Sequence, residues 1–268
     1  MTAWIETYRG AVPPWQCDVT EHFTVAYYFD RLEEAQANLV EALNLPATPR
    51  RGRIDARFTR ELREGASFHV ESAPLLTGTG LRLGHRFVDS ANGEPVTWFD
   101  GYWDTGSVDV GFAEWNGPET ERRVDPVSRQ GYRPTARGRV KPNDLDAAGY
   151  FSLSAMVHRF SASSAQAGTA IGMTAAVAQQ ERRGFSTFEL ILHLSGSLEV
   201  DAPYLVETGI AHLGNSSLRM IHRMTDPRTG DEIARLSQYG VNLDLDARRP
   251  ARWPDTVRDA AQALVIPG

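Results

Sequence analysis

Apolar residues fall at Val25, Tyr28, Phe29 and Leu32, spacings of three and four that gather them on one face of a helix. The same pattern returns at Leu153, Met156, Val157 and Phe160. Thr24 and Ser152 precede these runs and are residue types that cap helix N-termini, because a side-chain hydroxyl accepts from the unpaired N–H groups one turn on. Phe23 with Tyr28, and Phe151 with Met156, take the two positions of a hydrophobic staple. The spacing predicts helices starting near residues 24 and 152. The first ends before Pro46; the second is weaker, broken by Gly168 and Gly172 and carrying the small residues SASSAQAG. Behind each helix the period changes to short strand-like segments parted by Gly, Asn-Gly and Pro. They cover about 52–62, 67–76, 80–89 and 95–104 after the first helix, and 185–195, 203–213, 216–226 and 231–243 after the second. Short opening strands are expected at about 5–12 and 135–141.

This order reflects an internal repeat. Val12 to Leu43 aligns without a gap onto Val140 to Ile171 at an offset of 128, pairing Val12 with Val140, Pro14 with Pro142, Asp18 with Asp146, Phe23 with Phe151 and Arg31 with Arg159. Each copy is then one strand, one long helix and four antiparallel strands, an α+β module. The expected boundaries are 1–105 for the first module, 106–133 for a linker rich in Gly, Pro and charge, 134–246 for the second module, and 247–268 for a tail with a short helix.

Composition narrows the function. The 268 residues carry 28 basic and 34 acidic side chains, a net charge of -6 that offers no bulk attraction to nucleic acid. No apolar run approaches the ~18 residues of a membrane-spanning helix. Cys17 is the single cysteine, which excludes an intrachain disulfide and a multi-cysteine zinc site, and its alignment partner is Leu145, so it is a weak nucleophile candidate. The start MTAWIETYRG has no basic-then-apolar signal pattern, and a cytoplasmic protein is expected. His69, His85, His158, His193, His212 and His222 show no metal-ligand spacing, so no metal is predicted.

The segment NDLDAAGYFS, Asn143 to Ser152, resembles the D-x-D-x-A-G segment of the 4-hydroxybenzoyl-CoA thioesterases. QCDVTEHFTVAYYFDRLEEA, Gln16 to Ala35, resembles the D-x-x-G-H-x-N segment of related acyl-CoA thioesterases, and RELREGASFHVES, Arg60 to Ser72, resembles their second-to-third strand junction. The resemblance covers most of the chain apart from linker and tail. It implies two tandem hotdog modules, each a long helix wrapped by a curved antiparallel sheet, paired as an intrachain pseudo-dimer. It also implies acyl-CoA hydrolysis with coenzyme A entering as part of the substrate, no separate cofactor, and pseudo-dimers that can assemble further as a homo-oligomer. The family's catalytic carboxylate falls on Asp146 and, by the repeat, on Asp18. This chain departs from the pattern at Glu21, where the motif has Gly, at Thr24, where it has Asn, and at Tyr150, which stands where His22 does in the first copy.

The residues themselves support that chemistry. Each Asp lies six positions before its cap, close enough for the loop to fold it in front of the helix N-terminus. There the backbone N–H groups around Val25 and Leu153 and the positive end of the helix dipole can polarise a thioester carbonyl. An ionised Asp can act as general base on water or attack the carbonyl itself, and His22 can orient substrate or water. Thr24, Val25, Tyr150 and Leu153 are candidate substrate contacts. Arg60, with Arg50, Arg51, Arg53, Arg57 and Arg63, and with Arg182 and Arg183 in the second copy, can meet coenzyme A phosphates or form a solvated face. The plainer reading makes the two Asp turn-stabilising carboxylates. Competing functions are a hotdog hydratase, disfavoured because Asp18 and His22 are four apart without the prolines of that motif, and a non-catalytic acyl-ligand-binding protein.

Overall fold

The computed structural model describes residues 3–18, 21–47, 51–78, 80–105, 110–119, 123–126 and 128–267. The chain divides into two compact units, Met1–Thr120 with His193–Ser195, and Glu121–Leu192 with Gly196–Gly268.

In the first unit β1 (Ile5–Ala11) leads through a 3-10 turn at Pro14–Gln16 into α1 (Val25–Ala42), and β2 (Gly52–Phe58), β3 (Ser67–Leu75), β4 (Leu81–Asp89) and β5 (Glu94–Trp103) follow. The strands lie in the order β1-β3-β4-β5-β2, with β1 to β3, β3 to β4, β4 to β5 and β5 to β2 all antiparallel. α1 packs across β1, β3 and β4. It buries Ala26, Tyr28, Phe29, Leu32, Ala35 and Leu39, the face that the spacing of three and four marks out. Strand alternation sends Phe68, Phe87 and Phe99 to meet it. Phe29 lies edge-on to Phe99 at 5.2 Å between ring centres, and Tyr28 lies 5.2 Å from Phe87. Fully burying side chains of this size contributes about 1.5 to 3 kcal/mol apiece. The opposite face of the sheet is covered by Trp4, Trp98 and Trp115, with the Arg86 guanidinium 4.7 Å from the Trp4 ring. Trp115 comes from the expected linker, which runs beside β3, where Ala113 donates to Pro74 O.

The second unit holds β6 (Arg133–Arg139), a 3-10 turn at Pro142–Asp144, α2 (Leu153–Ala170), α3 (Ala175–Gln180), β7 (Arg183–Leu194), β8 (Pro203–Leu213), β9 (Ser217–Thr225), β10 (Glu232–Asp244), β11 (Arg249–Pro250) and α4 (Asp255–Gln262). Its strand order β6-β8-β9-β10-β7 copies that of the first unit. α2 packs across β6, β8 and β9 and has the same 18 residues as α1, so the weak second helix of the sequence reading is a full one. Gly168 sits inside it; Gly172, at φ 91°, follows its end. α3 went unpredicted. Trp253, Val257 and Ala261 of the tail pack with Ile171 of α2 and with Ile210, Leu218 and Met220 of β8 and β9, so the tail belongs to this core. No helix among the described residues is long and apolar enough to cross a membrane.

The loop before each helix is built alike. A single bridge joins Cys17 to Phe23 and Leu145 to Phe151, and the chain turns back through a left-handed residue, Glu21 at φ 65° and Gly149 at φ 81°. A side chain added at Gly149 would meet nothing within 4 Å, so its cost is purely conformational. Gly149→Ala should lower stability by about 1 to 2 kcal/mol in denaturant unfolding, with little change in the m-value.

Candidate active site

Asp146 is pinned by its own loop. Its N–H donates to Tyr150 O at 2.8 Å, and its Oδ1 accepts from the N–H groups of Ala148 and Tyr150, both at 2.9 Å. Asp18 makes the reduced version: its N–H donates to His22 O at 2.9 Å, and its Oδ1 accepts from His22 N–H at 3.3 Å. Each carboxylate thus holds the turn that carries it, the plain structural role, while lying in the loop that feeds a helix N-terminus. Beyond this turn the two copies differ. Ser152 caps α2 by accepting from Ala155 N–H at 3.1 Å, whereas Thr24 occupies the cap position of α1 without a side-chain bond to the helix. The expectation of a hydroxyl cap therefore holds for Ser152 and fails for Thr24. The staple forms, with Phe23 and Tyr28 at 4.6 Å.

His22 and Tyr150, equivalent by the repeat, sit in opposite surroundings. His22 is buried, its Nε2 3.1 Å from Glu61 Oε2 and 3.3 Å from an Arg63 nitrogen. Tyr150 is 46% exposed. Val25 is half-buried and Leu153 buried at the first positions of their helices. Arg60 is engaged by Asp89 at 3.0 Å and Glu94 at 3.1 Å. Arg53 pairs with Asp55, Arg182 with Asp246 and Arg183 with Asp244, while Arg50 lies outside the described residues. Much of the arginine cluster is thus matched to carboxylates of its own module. Cys17 directs its thiol toward Pro13 O at 3.7 Å, and burial raises its pKa, which disfavours the thiolate. Among the described residues no group of three or more His, Cys, Asp or Glu is placed to hold a metal ion.

The first Asp of the D-x-D segment has a different task. Asp144 takes both oxygens to one Arg159 nitrogen, at 2.7 and 2.8 Å, and Arg31 reaches Gln16 at the matching place at 3.3 Å. This explains the identity of Arg31 and Arg159 in the repeat. Each ties its helix back to the 3-10 turn before it.

A second repeated feature escaped the sequence reading. In the first module Thr7, Ser72 and the Nδ1 of His85 form a buried chain with steps of 2.7 Å each; in the second, Thr135, Thr208 and His222 Nδ1 form its copy, at 2.8 and 2.7 Å. The signal was present as L-R-x-x-H-R-x-x-D, Leu81 to Asp89 and again Leu218 to Asp226, at an offset of 137 instead of 128 because α3 and its turns are inserted between. Both histidines are fully buried, and that burial pulls their pKa values from 6.5 down to about 3 for His85 and about 4 for His222.

Residues 140–261 match the family model of the thioesterase-like superfamily. Among solved structures the chain is similar to an acyl-ACP thioesterase from Bacteroides thetaiotaomicron VPI-5482, at 11% identity over 88% of this chain and 96% of that one, with a TM-score of 0.64. It is also similar to a 12:0-ACP thioesterase from Umbellularia californica, at 12% identity over 87% and 92%, with a TM-score of 0.61. Among curated proteins nothing matches it.

The lowered pKa values set a pH window. An unfolded histidine binds a proton below about 6.5 that the folded one refuses, so stability should be full above that pH and fall as the pH drops toward 4 and then 3. The limiting slope is about 1.4 kcal/mol per pH unit for each histidine. Urea midpoints across this range should show that loss, and a folded His222→Gln variant should show a shallower one. Residues 140–261 are thus similar to the thioesterase-like superfamily, and the chain shares the fold of two tandem hotdog modules with the solved thioesterases.

Proposed function

We propose that the chain hydrolyses acyl-CoA thioesters to the free acid and coenzyme A, with Asp146 as the reacting carboxylate and Asp18 as its counterpart in the first module. The observation that carries this is the loop of Asp146, inside the family-matched segment. Two backbone N–H bonds hold Oδ1 in a fixed turn, and four residues after Tyr150 the chain has already entered α2. A thioester carbonyl set against the first turn of that helix meets donors that no i−4 carbonyl satisfies, so charge developing on its oxygen is stabilised. The Asp146 carboxylate then draws a proton from attacking water, or adds to the carbonyl and is released by water, and the thiol leaves with the proton. His22, clasped by Glu61 and Arg63, acts by shaping the loop of Asp18.

The test is thiol release from a panel of short, branched, aromatic and long acyl-CoAs. Asp146→Asn should lower kcat by about a hundred- to ten-thousand-fold with KM little changed. Asp18→Asn reports whether the first copy shares the work. A folded double variant with undiminished turnover rejects the assignment.

A second reading concerns the acyl carrier. Two similar structures that span both modules are acyl-ACP thioesterases, and here Arg60, Arg53, Arg182 and Arg183 already have carboxylate partners in place of coenzyme A phosphates. Assaying one acyl group on both carriers separates the two. A preference for the protein-borne substrate of tenfold or more in kcat/KM selects the carrier protein.

A further inference from the structure

The edge strands of the two modules are equivalent in place and opposite in charge. β1 and β6 each lie at the edge of their module's strand order, and Thr7 of β1 and Thr135 of β6 make the same buried contact. On β1 the one arginine is answered by its own strand: Arg9 donates to the two oxygens of Glu6 at 2.8 and 2.6 Å. Arg9 recurs as Arg137, but Pro134 stands where Glu6 does, and Arg133 and Arg139 stand where β1 has Ile5 and Ala11. The run from Arg129 to Lys141 thus holds five of the chain's 28 basic residues and no acidic one, in a chain of net charge -6.

All five side chains are exposed. Arg139 is engaged by Asp201, its carbonyl at 2.6 Å and its carboxylate at 3.4 Å. The side chains of Arg129, Arg133 and Arg137 have no hydrogen bond or ion pair among the described residues. Elsewhere Arg82, Arg159 and Arg223 are matched to Asp100, Asp144 and Glu232. The strand that presents the unmatched three is well anchored. Tyr132 lies 5.3 Å from the Arg223 guanidinium, and Tyr204 and Val206 of β8, opposite Gly138 and Ala136, are buried beside Phe151 and α2. Arg137 and Arg139, opposite Leu205 and Pro203, therefore project from the other face.

Charge on a free edge also keeps sheets from joining, yet β1 manages with a paired Glu6 and Arg9, so the fold does not demand the basic run. Pro134 removes a backbone donor and like charges repel, so neither an added strand nor a second copy of this edge suits it. A rise of about 3.3 Å per residue spreads Arg133, Arg137 and Arg139 along about 20 Å, which fits the acidic face of a folded protein better than one phosphate group. Guanidinium forks match carboxylates in two-point fashion. The run also leads to the candidate site: Lys141 caps the 3-10 turn, and Asp146 follows five residues later.

We propose that the β6 edge, through Arg129, Arg133 and Arg137, is the docking surface for an acidic acyl carrier protein, which presents its thioester to the loop of Asp146. This deepens the carrier reading given above and rests on it for the identity of the partner.

Binding and turnover are read separately. The full-length chain is titrated with fluorescently labelled holo acyl carrier protein, followed by anisotropy, and is assayed on one acyl group borne by the carrier and by coenzyme A. Wild type should bind the carrier with an affinity that falls as salt rises. Arg133→Gln combined with Arg137→Gln should weaken binding at least about tenfold and raise KM for the acyl carrier to match, with kcat unchanged. The same variant should keep kcat/KM for the acyl-CoA within about twofold, since both side chains are exposed and unpaired. Arg137→Glu should weaken carrier binding more than Arg137→Gln, and Arg9→Gln should leave it unchanged. No carrier binding by wild type overturns the surface, as does binding that survives the double variant. An equal loss on acyl-CoA also overturns it and assigns these arginines to coenzyme A phosphates. Affinity for phosphatidylglycerol vesicles without affinity for the carrier overturns it in favour of a membrane. Salt-sensitive carrier binding that the double variant loses, with no hydrolysis of either thioester, upholds the surface and overturns the thioesterase reading alone.

Discussion

The left-handed residue that closes the loop before each helix constrains much of the rest. The chain leaves an edge strand, makes a 3-10 turn, and must reverse within a few residues to enter a helix lying across that sheet. A positive φ at residues 21 and 149 makes the reversal, and the Asp three residues earlier locks it through backbone N–H bonds. From that point the direction of the helix is set, its apolar face meets the sheet, and the carboxylate is held beside the helix start. The turn-stabilising duty of Asp146 is thus compatible with the catalytic role proposed for it. The copies pay unequally for the turn: Gly149 adopts its φ freely, whereas Glu21 adopts a backbone region disfavoured by about 1 to 2 kcal/mol for a residue with a Cβ.

Much of the architecture was legible because it rests on period and repetition. Four apolar residues at helical spacing located the start of each helix to within a residue, since burial of one face is a demand the sequence must meet at every turn. The offset of 128 held from the opening strand through the helix because that block admits no insertion without moving the loop off its helix. It failed at the later strands, where α3 and its turns lengthen the connection into β7. Losing the register hid the most informative repeat in the chain, L-R-x-x-H-R-x-x-D, whose histidines were judged by metal spacing alone.

Other parts could not be read because they depend on neighbours distant in sequence. Thr24 and Ser152 are equally good caps by residue type, and only Ser152 caps its helix. His22 and Tyr150 share a repeat position and face opposite ways because Glu61 and Arg63, some forty residues on, draw the histidine inward. Arg60 looks like a phosphate ligand until Asp89 and Glu94 arrive from β4 and β5 to engage it. In each case the residue type specified a capacity, and the folded partner decided whether it was spent.

The two modules therefore differ less in scaffold than in where their polar groups terminate. A stem of two hydroxyls ending on a neutral imidazole is costly to bury, and leucine would fill the same strand position with less desolvation. In the second module Ser164 and Gln238 offset that cost, and the tail helix closes the neighbouring core around Ile171 and Met220. In the first module those side chains are replaced by Gln36 and Gly101, yet the stem is complete down to the Thr7 hydroxyl. That imidazole keeps its support without its cap, so the first module bears a desolvation cost that the second offsets. A duplicated scaffold thus lets one copy of a buried polar stem lose its side-chain partners while the other keeps them.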